Sequence, residues 1–226
     1  MKKVIAPVLI SLCSFGPLMA SETVRDYLVS QGTPDSTPYL PGCFPPISEG
    51  TTEYIVKYIP FENEGRVLGL INALEPCRKT LTSLLLRSNK FNDDLIIMLS
   101  KALSPTLTSL EISASDIGFT GEMQAVEALA DYLNRNRVLK NLSLATNPIC
   151  KSQMDVLIPS MPHTLEELNI SYNFALVKKV DILDVVGKLP IGLKRLIISI
   201  SLPDSFDDIV AKAKILRPNL IISNLF

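Results

Sequence analysis

The sequence predicts an α/β fold: a short, right-handed β-α repeat solenoid with a parallel sheet on its concave face and helices on its convex face. Three observations favour this architecture. A nine-residue pattern with three fixed apolar positions occurs five times, its copies start 26, 32, 26 and 28 residues apart, and the segments between them carry apolar residues at helical spacing. Periods of this length are typical of solenoids, in which each unit buries its apolar face by stacking on its neighbours.

The repeated pattern has Leu or Ile at its first, fourth and sixth positions, and Asn or Ser at its ninth. Because residues two apart in a strand point to the same face, each copy predicts a short strand with one buried side. Parallel pairing of successive strands then turns the Leu and Ile residues toward the helices. The five copies are LTSLLLRSN from residue 81, LTSLEISAS from 107, LKNLSLATN from 139, LEELNISYN from 165 and LKRLIISIS from 193.

The ninth position of the pattern falls where the chain bends out of the strand. Asn carries a donor and an acceptor on one short side chain, and an unpaired buried backbone group costs about 1–3 kcal/mol. We therefore predict that Asn89, Asn147 and Asn173 form a buried ladder along the turns. Ser115 and Ser201 are smaller, which predicts looser turns in their units.

The segments between the copies predict the helices that return the chain to the next strand. Each has an apolar stripe on one face, which is the pattern of a helix buried on one side. The stripe in the third repeat interval is weaker because Pro159 interrupts it, and the longest unit has its extra residues around Gly118. The predicted helices span 92–103, 121–133, 154–161 and 178–189.

The pattern L-x-x-L-x-L-x-x-N resembles that of the leucine-rich repeat family. Its period of 26–28 residues and its helical return segments resemble the ribonuclease-inhibitor-like subclass. The resemblance covers about residues 81–201, and we expect degenerate end units at 51–80 and 202–226 within a repeat domain spanning 51–226. It implies the fold and a protein-binding role. It does not carry over a ligand, because ribonuclease inhibitors are long, acidic and cysteine-rich, whereas this chain is short, near-neutral and cysteine-poor.

Residues at equivalent pattern positions should form rows on the open, concave face of the sheet. A central row, Leu85, Glu111, Ser143, Asn169 and Ile197, should be flanked by Ser83, Ser109, Asn141, Glu167 and Arg195 on one side and by Arg87, Ser113, Ala145, Ser171 and Ser199 on the other. Tyr172 follows its strand and should lean over the rim. Tyr and Arg often anchor interfaces, so Tyr172, Arg87 and Arg195 are the first candidates. The predicted partner-binding residues are Leu85, Arg87, Glu111, Asn141, Ser143, Glu167, Asn169, Tyr172, Arg195 and Ile197.

The N-terminus predicts export. Residues 1–20 combine Lys2 and Lys3 with an apolar run and a small-residue site after Ala20, as in a cleaved signal peptide. A proline-rich stretch over 21–50 then predicts an arm or linker, with an ordered arm packed on the first repeat as the alternative. Cleavage leaves 20 basic against 23 acidic residues, a net charge of −3. We expect a periplasmic or secreted protein with no membrane span in the mature chain and no affinity for nucleic acid.

The remaining cysteines and the single histidine predict no catalytic site. Cys43 and Cys77 could form one disulfide in an oxidising compartment, or all three cysteines of the mature chain, including Cys150, could stay free thiols. His163 has acidic neighbours but no nearby second His or Cys, so a polar turn is a better interpretation than a metal site. No nucleotide-binding or nucleophile motif occurs, and we expect neither an enzyme nor a cofactor.

These observations predict an exported, non-enzymatic module that binds a protein partner through its concave face. The alternative is a structural or adaptor protein that binds through its N-terminal arm or its convex helices. Deletion of residues 21–50 should separate the two hypotheses, because it removes the arm and leaves the concave face.

Overall fold

The computed structural model describes residues 9–10, 44, 47–57, 61, 64–118, 120–173, 179–199 and 203–225. Strands and helices alternate along the repeat units, and a short 3-10 turn, Glu75–Cys77, follows the first helix. The described strands are β1 Leu9–Ile10, β2 Glu53–Lys57, β3 Ser83–Arg87, β4 Ser109–Ser113, β5 Asn141–Ser143, β6 Glu167–Asn169, β7 Arg195–Ile198 and β8 Ile221–Asn224. The described helices are α1 Glu64–Leu74, α2 Asp93–Ala102, α3 Gln124–Arg135, α4 Lys151–Ser160, α5 Lys179–Lys188 and α6 Pro203–Leu216.

The strands form one parallel sheet in chain order, from β1 to β8. Within β3 and β4 the residues alternate between buried and half-exposed, so one face of the sheet packs on the helices and the other is open. We call the open side the concave face. The fold is therefore the β-α solenoid with a parallel sheet that the sequence predicts, and the end units pair in the same sheet through β2 and β8.

The core lies between the sheet and the helices and follows the repeat pattern. The pattern's Leu and Ile positions are almost fully buried, as at Leu84, Leu142 and Leu168. Helix α3 buries one face along its length, with Val126, Leu129 and Leu133 inaccessible to solvent. Each unit thus supplies a strand side and a helix side to one continuous core, which a single unit could not close alone.

The Asn ladder is confirmed. Asn147 is 1% exposed, donates to the carbonyls of Ile112 and Leu144 at 2.8 and 3.0 Å, and accepts from the backbone N–H groups of Ser115 and Ile117 at 3.0 and 3.2 Å. These bonds pair backbone groups of the preceding turn as well as its own, so the Asn residues bind successive units together.

The other two Asn residues of the ladder make equivalent bonds. Asn89 donates to the carbonyl of Val56 at 2.9 Å, and Asn173 donates to that of Leu144 at 2.8 Å. In both cases the carbonyl belongs to the preceding unit, as it does for Asn147. The interaction is therefore repeated along the solenoid, in units that share the same turn residue.

The looser turn predicted at Ser115 is wrong. Ser115 is fully buried, and its hydroxyl donates to the carbonyl of Ser113 at 2.9 Å. Its own N–H is bonded by Asn147 of the next unit, and its carbonyl accepts from the N–H of Phe91 at 3.3 Å. The neighbouring units and the backbone supply the bonds that a shorter side chain cannot make. Ser201 lies outside the described residues.

The described end of the proline-rich arm contacts the first unit. Ile47 is buried, and the ring of Phe44 stacks on that of Phe61 at a centroid distance of 5.9 Å. Phe61 stacks in turn on Phe91 at 4.5 Å. Within the predicted signal segment, Leu9–Ile10 pairs in parallel with β2. No helix in the described part of the chain is long and apolar enough to cross a membrane.

Candidate functional site

The register of the sheet confirms two of the three predicted rows on the concave face. The strand pairs align the central row as Leu85, Glu111, Ser143, Asn169 and Ile197, and the flanking row as Ser83, Ser109, Asn141, Glu167 and Arg195. All ten lie on the exposed or half-exposed side of their strands. The end units extend both rows, with Ile55 and Glu53 on β2 and Ser223 and Ile221 on β8.

The third predicted row is wrong beyond β4. Arg87 aligns with Ser113 and with Lys57 of the first unit, but β5 and β6 end before the equivalent position is reached. Ala145 and Ser171 are buried at 8% and 1% exposure instead of facing outward. The reason at β6 is local: the side chain of Asn169 accepts bonds from the N–H and hydroxyl of Ser171, which begins the turn early. Ser199 follows β7 rather than lying within it.

An ion pair lies across β3 and β4 on the concave face. The Arg87 guanidinium donates two hydrogen bonds to the Glu111 carboxylate, at 2.6 and 2.7 Å. The Ser113 hydroxyl donates to the same carboxylate at 2.6 Å. The Glu111 side chain is only 18% exposed, and both of its carboxylate oxygens accept hydrogen bonds from Arg87. The three residues form a fixed polar cluster at one side of the face.

A second ion pair, more open, lies at the other end of the face. Arg195 on β7 approaches Glu167 on β6 at 3.6 Å, and both side chains are at least 40% exposed. Between the two ion pairs the face is neutral, with hydroxyl and amide side chains at Ser109, Asn141, Ser143 and Asn169. Such groups can donate and accept hydrogen bonds without selecting for one sign of charge.

The charges of the concave face balance. The described strands carry three acidic residues (Glu53, Glu111 and Glu167) and three basic ones (Lys57, Arg87 and Arg195) on this face. Apolar side chains occupy the two ends, with Ile55 and Leu85 on the first strands and Ile197 and Ile221 on the last. The face therefore offers hydrogen-bonding groups at its centre and apolar groups at its ends, without an excess of either charge.

Tyr172 lies at the rim, as predicted, but its hydroxyl is bonded. It is 48% exposed, and its hydroxyl donates to the carbonyl of Leu225 at 2.7 Å. Its N–H donates to the hydroxyl of Ser199 at 2.9 Å, and its φ of 56° lies in the left-handed region. The side chain therefore reaches from the turn after β6 to the residue that follows β8, and its hydroxyl is engaged there.

The convex side has a closed square of charges between α4 and α5. Lys151 contacts Asp155 and Asp184 at 2.6 and 2.7 Å, and Lys188 contacts the same two carboxylates at 3.1 and 2.8 Å. Hydrogen bonds from Lys151, more than those from Lys188, hold the pKa of Asp155 and that of Asp184 below their ordinary values. Hydrogen bonds to the two carboxylates raise the pKa of both lysines. The two positive and two negative charges of the square cancel, and its contacts join α4 to α5, which belong to adjacent units.

The described residues hold no group of three or more His, Cys, Asp or Glu side chains that could bind a metal ion. His163 is exposed in the turn before β6, and its backbone carbonyl lies against Gly192, where an added Cβ would be 2.7 Å away. The Cys77 thiol is buried and donates to the carbonyl of Leu74 at 3.3 Å, and burial raises its pKa. Cys77 and Cys150 are free thiols in the structure, which agrees with the alternative of free cysteines at these two residues and not with a disulfide at Cys77. Cys43 lies outside the described residues.

Sequence reasoning missed the concave residues of the two end units. Glu53, Ile55 and Lys57 on β2, like Ile221 and Ser223 on β8, lie in strands that lack the repeated Leu pattern. No alternation of apolar and polar residues was available as a signal, because Tyr54, Ile55 and Val56 form a continuous apolar run in EYIVK. Only the alternating burial along the folded strand shows that Ile55 lies on the open face. These residues widen the candidate face by one strand at each end.

No protein-family model matches the chain, and no curated protein matches its sequence. Among solved structures, the fold is similar to that of the leucine-rich repeat-containing protein LegL7 from Legionella pneumophila, with a TM-score of 0.58 at 16% identity. The match covers 78% of this chain and 58% of LegL7, so the chain spans little more than half the length of that protein. The likeness shows the fold alone, a β-α solenoid, and carries no role over to this chain.

Proposed function

We propose that this protein is an exported, non-enzymatic leucine-rich repeat module, of the ribonuclease-inhibitor-like subclass, that binds a protein partner through its concave face. The observation that carries the proposal is the register of β2 to β8, which gathers residues of every unit onto one accessible surface. A surface assembled from seven strands is large enough in outline for a folded partner or an extended polypeptide.

The chemistry of the face favours protein over nucleic acid. Its three basic residues are balanced by three acidic ones, and Arg87 and Arg195 are both engaged with carboxylates. A nucleic-acid partner would require an excess of positive charge along the groove to neutralise phosphates. The face instead combines neutral hydrogen-bonding groups with exposed apolar side chains, and both kinds of group can contact a protein surface.

The export part of the proposal rests on residues 1–20, whose lysines, apolar run and small-residue site are those of a signal peptide. Mass spectrometry of the protein recovered from its native host tests it. We expect a mature N-terminus at Ser21 and recovery outside the cytoplasm. An intact Met1 in the cytoplasmic fraction would contradict export and leave the concave-face proposal to be tested separately.

A co-purification experiment tests the concave face against the arm and the convex helices. The Ser143→Trp substitution places a bulky ring at the centre of the face, where the native side chain is half-exposed. The Glu127→Trp substitution is the matched control, because Glu127 is exposed on the convex helix α3. A third variant lacks residues 21–42 and retains Phe44 and Ile47, which pack on the core.

We expect the partner that co-purifies with the wild-type protein to be lost only with Ser143→Trp. Loss with the truncated variant, and retention with Ser143→Trp, would assign binding to the arm and contradict the proposal. Loss with Glu127→Trp alone would assign it to the convex helices. Circular dichroism of each variant checks that the fold is unchanged, since all three changes avoid buried positions of the described core.

A further inference from the structure

We propose that one edge of the solenoid, the edge at which each helix passes into the next strand, binds an anionic lipid surface. We call it the helix-to-strand edge, and it does not include the concave face. Because the strands are parallel and follow chain order in the sheet, every connection that leads from a helix into a strand lies at this edge. In the described part of the chain the connections are residues 75–82, 103–108, 136–140, 161–166, 189–194 and 217–220.

Backbone hydrogen bonds join these connections into one surface. The N–H of Thr108 donates to the carbonyl of Thr82, and the N–H of Lys140 donates to the carbonyl of Thr108, both at 2.8 Å. The row continues through Glu166 and Lys194, whose N–H groups donate to the carbonyls of Lys140 and Glu166, also at 2.8 Å. Residues of successive connections are therefore direct neighbours in space.

The helix-to-strand edge is positively charged. Its connections carry six lysine and arginine residues and two acidic residues, Glu75 and Glu166, and residues 48–52, which enter β2 at the same edge, add Glu49. The whole chain has a net charge of −1, so this excess of positive charge is local. The basic residues are all exposed or half-exposed: Arg78, Lys79, Arg137, Lys140, Lys194 and Arg217.

The opposite edge has no such excess in the described residues. The described residues that lead from a strand into the next helix include one basic residue, Lys90, and two acidic ones, Asp116 and Glu122. The first turn of α2 adds Asp93 and Asp94 at the same edge. The field of the protein therefore directs an anionic partner to the helix-to-strand edge.

Helix dipoles account for only part of this positive charge. The helices end at this edge, and basic residues in their last turns offset the partial negative charge of the helix C-termini. That effect falls off within the last turn, whereas Arg137 lies beyond the end of α3. Lys140 and Lys194 lie farther still, immediately before β5 and β7. These residues have no helix end to stabilise.

Contacts within the edge leave two of its cations without an acidic partner. Glu75 contacts Arg78 at 3.4 Å, and Glu166 contacts the two lysines beside it in the row at 3.6 and 2.6 Å. In the described part of the chain, Lys79 and Arg137 have no carboxylate partner, and both are exposed. An external anion can therefore contact them without first breaking an ion pair.

The connections at this edge are short and similar. Five of the six are four to six residues long, whereas residues 114–123 on the opposite edge form a connection of ten. In three of them the N–H of the first Leu of the pattern donates to the carbonyl three residues before it, at 3.0 to 3.5 Å. Connections that turn in the same way project to a similar height, which suits a flat partner.

Exposed aliphatic side chains lie among the cations of this edge. Ile191 is 88% exposed in the turn before β7, and Val138, which follows Arg137, is 43% exposed. Cations that contact lipid phosphates, together with aliphatic groups that enter the boundary of the acyl chains, are the composition by which proteins adsorb to anionic membranes. An acidic polypeptide could pair with the cations, but it has no apolar layer to receive Ile191. The edge therefore favours a lipid surface.

Co-sedimentation with lipid vesicles, using the protein purified from its native host, tests the proposal. Vesicles of phosphatidylcholine and phosphatidylglycerol present an anionic surface, and vesicles of phosphatidylcholine alone are the neutral control. We expect binding to the anionic vesicles only, and we expect it to weaken as salt is added because salt screens exposed charges.

The combined Lys79→Gln and Arg137→Gln substitutions should weaken binding to the anionic vesicles at least about tenfold, because each basic residue near such a surface adds to the attraction. The matched control combines Lys57→Gln and Lys90→Gln, which removes the same charge near the C-terminal ends of β2 and β3. This control should leave binding nearly unchanged. Thermal unfolding of each variant separates a folding defect from a binding defect.

A second pair of variants tests the aliphatic contact. Ile191→Gln should weaken binding to the anionic vesicles, whereas Leu68→Gln, at a large apolar residue 47% exposed on α1, should not. Equal losses in the two charge variants would overturn the proposal, because net charge rather than this edge would then determine binding. Equal binding to neutral vesicles, or no binding to anionic ones, would overturn it as well. Binding of polyglutamate without binding of vesicles would assign the edge to an acidic polypeptide instead.

Discussion

Arg87 and Glu111 face each other across β3 and β4 on the concave side, with the guanidinium bonded to both carboxylate oxygens at 2.6 and 2.7 Å. The Arg87 side chain is 42% exposed, so solvent screens part of the interaction. A double-mutant cycle with Arg87→Met and Glu111→Gln should give a coupling free energy of about 0.5–1 kcal/mol, favourable to folding. Urea unfolding measures it, and a coupling of zero would show that the pair does not hold the two strands together.

The buried Asn ladder predicts that replacing Asn147 lowers the free energy of unfolding much more than replacing the exposed Asn141. Asn147→Ala leaves the N–H groups of Ser115 and Ile117 and the carbonyl of Ile112 without this partner, which should lower the free energy of unfolding by about 3 kcal/mol. Asn141→Ala, at an exposed position of the adjacent strand, should change it by less than about 0.5 kcal/mol. Equal losses in urea unfolding would contradict the scaffold role of the ladder.

The residue before the ninth pattern position has a left-handed backbone in four units. The residues are Ser88, Ala114, Thr146 and Tyr172, with φ between 49° and 57°. Thr146 is exposed, and its β-branched side chain is poorly suited to this conformation. Thr146→Asn should therefore raise the free energy of unfolding by about 0.5–1 kcal/mol, because Asn tolerates this region best among residues with a side chain. Thr146→Val keeps the β-branched side chain and should not stabilise the protein. A loss of stability in Thr146→Asn would contradict a left-handed backbone at this residue.

The charge square on α4 and α5 predicts that its contribution to stability is lost at low pH. Because the folded-state pKa of Asp155 and of Asp184 is lowered, their contribution is present above the unfolded pKa of about 3.9 and is lost as the pH falls through the folded value. NMR titration should show both carboxylates ionising below their ordinary range. Lys151→Met should raise both pKa values, whereas Lys101→Met, at an exposed lysine on α2, should change neither. Unchanged pKa values in Lys151→Met would contradict the assigned cause.

The sequence predicts the repeat geometry well because that geometry is set by residues that recur. The Leu positions, the Asn ladder and the two complete rows follow from a strand period of two and from parallel stacking. The helix predicted at 92–103 is found as α2 at Asp93–Ala102. Helix α4 begins earlier than its apolar stripe, at Lys151, because Gln153 accepts from the N–H of Cys150 at 2.9 Å and caps the helix start.

Features that depend on a single partner elsewhere in the fold could not be predicted. The truncated third row follows from the turn that Asn169 forms with Ser171, and the bonded hydroxyl of Tyr172 follows from the position of Leu225, 53 residues away in the chain. No periodic signal in the sequence encodes these contacts, because each occurs once.

The most direct test of the concave-face proposal is site-specific photo-crosslinking in the native host. A photoreactive side chain is placed in turn at Ser143, on the central row, and at Glu127, on convex helix α3 of the preceding segment. The proposal predicts one protein crosslinked at Ser143 and absent at Glu127, with the crosslink lost when excess unlabelled wild-type protein competes. Crosslinks to that protein from Glu127 and none from Ser143 would contradict it.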